Sequence, residues 1–286
     1  MKRTILIATA ICAVVVSSCK KENSTPLSSA VSASSTEDLY VETGLPVQKA
    51  ITRSIGANIG GYLEALPKHY AYHPKKKYPL IIFLHGIGEI GDGSQTSLQK
   101  VADNAIPKLI ANKQFPANFK SPSGGTYQFV VLSPQFKGWP MPLDVNVMID
   151  YALKHYRVDP TRLYICGLSM GGGGDWDYSS SYGKRVTAVV PICGASYPSK
   201  QKGQAIAGDN LAVWAFHNDS DPKVPSWYSV DYVRYINNAN PKIKARLTIF
   251  PVSGHDAWTK ATDPNYRENG KNIYEWMLAH QKKSNA

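Results

Sequence analysis

Apolar positions along this chain fall into two alternating textures. Short, nearly unbroken apolar runs occupy residues 78–84, 127–132, 163–165, 187–192, 211–216 and 245–250. Such runs suit strands covered on both faces, which cannot expose a polar side. Between them lie helical periodicities. The clearest spans 143–156, with Val145, Met148, Ile149 and Leu153 on one face and Pro140 and Pro142 just before it. Two more occupy 226–236 and 272–280. Strands alternating with helices predict βα units, right-handed crossovers and a mostly parallel sheet. Residues 47–73 are expected to add one or two antiparallel edge strands. No repeat or second domain is visible, and 286 residues suit one large α/β domain.

The first residues read as an address rather than as part of that domain. Lys2 and Arg3 precede an apolar stretch over 5–16, too short for a membrane span of about 20 residues. Val16-Ser17-Ser18-Cys19 then resembles a bacterial lipobox, in which the cysteine is lipidated and becomes the first mature residue. Residues 1–18 are therefore expected to be a lipoprotein signal peptide. Residues 19–45, rich in Ser, Thr, Ala and Pro, should be the lipidated Cys19 and a flexible tether. The catalytic domain should occupy 46–286. No Asp follows Cys19, which by analogy favours the outer membrane or surface of a Gram-negative cell. The expected partner is then the membrane through a lipid anchor only.

Charge changes this picture little. Taking Lys2 and Arg3 from a formal charge of +11 leaves +9. The basic residues are scattered, and Lys75-Lys76-Lys77 falls just before a strand, so no nucleic-acid partner is expected. Cys166 and Cys193, each at a strand end, read as two buried thiols, with a bond between them left open.

The chemistry concentrates at Gly167-Leu168-Ser169-Met170-Gly171. This stretch follows the strand at 163–165 and precedes a glycine-rich start of a helix. A Gly-x-Ser-x-Gly in strand–turn–helix context is a nucleophile elbow, the mark of an α/β-hydrolase fold. The serine stands on a strained turn above the sheet, and side chains at the flanking glycines would clash. A serine hydroxyl is a weak nucleophile, so it needs a base and the base needs a carboxylate. The order Ser, acid, His is present. His255 lies in a loop after the last strand, whereas His280 sits on the terminal helix and His217 precedes the acid loop. Asp219 and Asp221 compete as the acid, Asp221 being favoured because it precedes Pro222 and Val224; Asp256 adjoins the histidine. His85-Gly86-Ile87-Gly88-Glu89 follows another strand, and the N–H groups of Ile87 and Met170 are the expected oxyanion donors. The His85 side chain and Glu89 are expected to be structural, Glu89 bracing the loop.

Several stretches resemble the feruloyl-esterase-like branch of α/β hydrolases, near carbohydrate esterase family one and the polyhydroxybutyrate-depolymerase-like esterases. These are Tyr78-Pro79-Leu80 on to Glu89, Asp159-Pro160-Thr161-Arg162 on to Trp176, Val190-Pro191-Ile192-Cys193-Gly194, and Gly254-His255-Asp256-Ala257-Trp258. Relatives of this kind are also labelled predicted peptidases or dienelactone-hydrolase-like. Dienelactone enzymes proper use Cys where this chain has Ser169. Gly171 to Gly174 resembles the glycine run of polyester hydrolases, which lack the His-Gly-x-Gly-Glu pattern.

The resemblance implies a serine esterase acting on small-molecule or polysaccharide esters; no His/Cys ligand cluster calls for a metal, no other cofactor is expected, and a monomer is the expected state. Acetyl or feruloyl groups are the expected acyl class. Trp139, Trp176 and Trp258 are candidate substrate contacts. A serine peptidase of the same fold, a polyester hydrolase and a non-catalytic glycan-binding lipoprotein are the rival readings.

Overall fold

The computed structural model describes residues 40–283. The signal, lipidation and tether expectations for residues 1–39 lie outside the described residues. In chain order the strands are β1 (Val47–Ile51), β2 (Ile59–Leu66), β3 (Tyr78–Leu84), β4 (Phe119–Lys120), β5 (Thr126–Tyr127), β6 (Val130–Phe136), β7 (Val158–Leu168), β8 (Ala188–Ile192), β9 (Ala212–Ser220) and β10 (Arg246–Ser253). The helices are α1 (Gln95–Leu98), α2 (Ala105–Ala111), α3 (Pro142–His155), α4 (Met170–Tyr182), α5 (Lys200–Gly208), α6 (Trp227–Asn238), α7 (Trp258–Ala261) and α8 (Ile273–Leu278).

Eight strands form one sheet in the order β1-β2-β6-β3-β7-β8-β9-β10. β1 and β2 are antiparallel, as expected of residues 47–73, and every pair from β6 to β10 is parallel. The alternation along β3 shows why both faces are apolar. Leu80, Ile82 and Leu84 pack with α3, α4 and α6, whereas Ile81 and Phe83 pack with α2 and α8. α3 fits its periodicity: Val145, Met148, Ile149 and Ala152 are buried at helical spacing, and Pro142 occupies its first turn.

Several boundaries differ from the sequence reading, β7 for instance running over Val158–Leu168 where 163–165 is expected. The strand expected at 127–132 runs from Val130 to Phe136, because Thr126–Tyr127 pairs instead with Phe119–Lys120. Its polar end continues the sheet since Gln135 is fully buried and satisfied: Oε1 accepts from Gly93 N, and Nε2 donates to the Glu89 and Ser97 carbonyls. Packing also begins before residue 46, the expected domain start. Glu42 is 4% exposed, and its carboxylate accepts from the amides of Thr43, Gly44 and His69. No helix among the described residues is long and apolar enough to cross a membrane.

Candidate active site

β7 delivers Ser169 at the carboxyl edge of the sheet, between Leu168 and the first residue of α4. Its backbone lies at φ 52 and ψ −113, a left-handed conformation that an L residue adopts only under constraint. The constraint is close approach. A Cβ on Gly171 would lie 2.0 Å from the Leu84 carbonyl oxygen, and one on Gly167 would lie 2.6 Å from Gly171. The turn is pinned by Ser169 N donating to Ile192 O at 2.9 Å, and by Ala195 N donating to Ser169 O at 2.9 Å.

Three side chains from three strand ends meet here. His255 Nε2 lies 2.8 Å from Ser169 Oγ, and His255 Nδ1 lies 2.6 Å from Asp221 Oδ2. The Asp221 side chain is fully buried and its Oδ1 accepts from the amides of Lys223 and Val224. Oδ2 faces the His255 imidazole, with His217 Nε2 farther off at 3.4 Å. Asp219, by contrast, is exposed, and Asp256 accepts from the Thr259 amide and hydroxyl to start α7. Asn218 Nδ2 donates to Gly254 O at 2.9 Å, tying the acid loop to the histidine loop. His280 lies just beyond α8, packed on Trp276.

His217 and His85 are each held in one tautomer by their partners. His217 Nε2 lies 2.9 Å from the Val224 carbonyl, which can only accept, so the proton sits on Nε2 and Nδ1 faces the Ser229 hydroxyl. Burial lowers its pKa, opposed by the Val224 carbonyl and by Asp221. His85 is 1% exposed, accepts from Phe136 N at Nε2 and donates from Nδ1 to Gly86 O. Burial pushes it down to about 4. It therefore shapes the loop that carries Ile87.

Ile87 and Met170 each open a helical turn, Ile87 in the 3-10 turn Ile87–Glu89 and Met170 in α4. The N–H of such a first residue has no acceptor within its own turn. A Cβ on Gly86 would stand 3.8 Å from Ser169 Cβ, so the two turns border the same space.

The three tryptophans part company. Trp139 is 40% exposed and lies against Gly173 in the first turn of α4. Trp258 meets the His255 ring edge-on at 5.3 Å between centroids. Trp176 is a correction. It is fully buried and stacks on Tyr232 at 4.2 Å with 4° between the planes, so it belongs to the core and reaches no substrate.

Cys166 and Cys193 are free, buried thiols. Cys193 Sγ, Asp221 and His255 offer atoms within 4.8 Å of one another, the geometry of a possible metal group. In the structure the Cys193 S–H donates instead to the His255 carbonyl at 3.3 Å, and Asp221 and His255 are bonded to each other in the chain that ends on Ser169.

The sequence profile of the phospholipase/carboxylesterase family matches residues 71–263, well over half of the chain. The chain belongs to this family. Residues 71–263 contain every residue of the hydrogen-bonded chain described above. A poly(3-hydroxyalkanoate) depolymerase C from Paucimonas lemoignei is 23% identical over 194 residues, covering 62% of this chain and 46% of that protein. This chain thus spans about half the length of that curated relative. A thermostable esterase of known structure superposes with a TM-score of 0.56 at 24% identity, over 83% of this chain and 63% of the other. A mutant feruloyl esterase module from Clostridium thermocellum complexed with sinapinate gives 0.55 at 16%, over 86% and 91%. At these identities the likeness establishes the fold, a mostly parallel sheet flanked by helices as in α/β hydrolases.

Asn104 was missed by the sequence reading. It joins Glu89 to Trp258 through its side chain. No motif marks it, because its partners lie 15 and 154 residues away.

Proposed function

We propose that the protein is a serine carboxylic ester hydrolase that works through an acyl-enzyme. One observation carries this reading: the unbroken run of hydrogen bonds from Ser169 Oγ to His255 and on to Asp221. In the resting state the Ser169 hydroxyl donates to His255 Nε2, and His255 Nδ1–H donates to Asp221. Attack of Oγ on the ester carbonyl moves the hydroxyl proton to Nε2 and leaves an imidazolium opposite the buried Asp221 carboxylate. The amides of Ile87 and Met170 receive the oxyanion, each such donor contributing roughly 3 kcal/mol. His255 then protonates the departing alcohol. In the second half it takes a proton from water, whose oxygen attacks the acyl-serine, and returns that proton to Ser169 Oγ as the acid departs.

The proposed substrates are carbohydrate esters carrying acetyl or feruloyl groups. The family resemblance supports this, as does the aromatic ring of Trp139 exposed beside α4, on which an arylacyl group can stack. The proposed setting is a monomer at the cell surface, tethered by a lipid on Cys19; equal membrane retention of Cys19→Ala in fractionation would remove that part. The deciding experiment measures initial rates of wild type and Ser169→Ala on an aryl acetate, methyl ferulate, acetylated xylan and a chromogenic peptide. Ester turnover lost in Ser169→Ala supports the reading. Wild-type rates in Ser169→Ala, or cleavage of the peptide alone, overturn it.

A further inference from the structure

The loop that carries Ile87 and the loop that carries His255 are joined by three side chains outside the triad. Trp258 Nε1 donates to Asn104 Oδ1 at 3.1 Å. An indole N–H can only donate, so this bond fixes which end of the Asn104 amide faces Trp258. The other end, Nδ2, then donates to Glu89 Oε1 at 2.6 Å.

Each end of this link touches the site. Glu89 closes the turn opened by Ile87 and is 7% exposed. Its Oε2 lies 3.0 Å from where a Cβ on Gly86 would stand, under the same loop that borders Ser169. The Glu89 carbonyl is held as well, by Gln135 Nε2 at 2.9 Å. At the far end, the Trp258 ring meets the His255 imidazole at 87°. Between them, Ala105 sits at φ 49, a left-handed backbone that a non-glycine residue adopts only when its surroundings hold it there. That turn sets the Asn104 side chain between the two loops.

We propose that Asn104 is a positioning residue that, through Glu89 and Trp258, locks the oxyanion loop and the histidine loop into one arrangement. The proposal rests on the serine hydrolase reading and adds to it. The imidazole must meet the same carbonyl group that the Ile87 amide receives, and a small error between the two is costly in rate. Asparagine suits the place because one short side chain supplies both an acceptor and a donor. An aspartate there would face Glu89 with a second carboxylate. Alanine would leave the indole N–H and the Glu89 oxygen without partners.

The test compares wild type, Asn104→Ala, Trp258→Phe, the double variant and Ser169→Ala on an aryl acetate. A fluorophosphonate titrates the fraction of reactive serine, and rates are expressed per titrated site. Trp258→Phe keeps a ring on the imidazole and removes the N–H. Expected is a fall in kcat of about tenfold for Asn104→Ala and about threefold for Trp258→Phe, with KM within about twofold. The double variant should be no slower than Asn104→Ala alone, because both remove one link. Wild-type kcat in Asn104→Ala, or effects that multiply in the double variant, would overturn the proposal. Should Asn104→Ala fail to fold, Trp258→Phe at wild-type kcat does the same. An inactive Ser169→Ala beside a fully active Asn104→Ala refutes only the brace, whereas an active Ser169→Ala refutes the reading beneath it.

Discussion

Gly171 lies so close to Leu84 that a Cβ on it would stand 2.0 Å from the Leu84 carbonyl oxygen. That contact is backbone, so no rotamer change relieves it. Gly171→Ala must push α4 away from β3 and carry Ser169 with it. Overpacking of this kind costs about 1–3 kcal/mol. The expected result is a lower urea midpoint in equilibrium unfolding together with loss of ester turnover in whatever protein remains folded.

Asp221 accepts two backbone amides at Oδ1 and the imidazole at Oδ2. In Asp221→Asn, one orientation of the amide points an N–H at His255 Nδ1, which favours the wrong tautomer at Nε2. The fold should survive, since the change is isosteric. The expected loss in kcat is on the order of 10⁴, as for the same substitution in a serine protease triad. Initial rates on an aryl acetate, with circular dichroism as the folding control, check it; a loss under tenfold would remove Asp221 from the role proposed.

His85 imposes a pH dependence on stability. Burial lowers its pKa from 6.5 to about 4, so the folded state holds it neutral. Unfolded chain binds the proton first as pH falls. Its stabilising share is therefore complete above about pH 6.5 and is lost progressively down to about pH 4, at up to roughly 1.4 kcal/mol per pH unit. His217, lowered by burial, acts with the same sign. Unfolding midpoints measured from pH 7 to 4 should fall. His85→Gln, although less stable at pH 7, should show a shallower fall.

Trp176 and Trp139 should separate stability from substrate use. Trp176→Ala empties a fully buried site stacked on Tyr232 and should cost about 3–5 kcal/mol, read from chemical denaturation. Trp139→Ala should leave the midpoint within about 0.5 kcal/mol and raise KM for methyl ferulate more than for an aryl acetate. Equal effects on both esters would take Trp139 out of the acyl site.

Composition and periodicity alone determined much of this protein. Fully buried strands such as Tyr78–Leu84 have no polar face, so their runs show in the sequence, and alternating them with helices leaves little besides a mostly parallel sheet. The Gly167-Leu168-Ser169-Met170-Gly171 stretch was also legible, because a close approach of backbones permits few residues. What the linear order left open was decided by packing in three dimensions. Asp219 and Asp221 compete in sequence, where the following Pro222 and Val224 only favour Asp221, and it is the path of the β9 loop that buries Asp221 beside His255 and exposes Asp219. Trp139 follows the end of β6 and Trp176 follows the nucleophile turn, both candidate site positions in sequence, but the phase of α4 turns Trp176 onto Tyr232 and into the core. Polar residues inside the sheet, such as Gln135, read as a strand end until their hydrogen-bond partners are known. Asn104 gives no sequence signal at all, since its role is to fill the distance between two loops that meet only after the chain has folded.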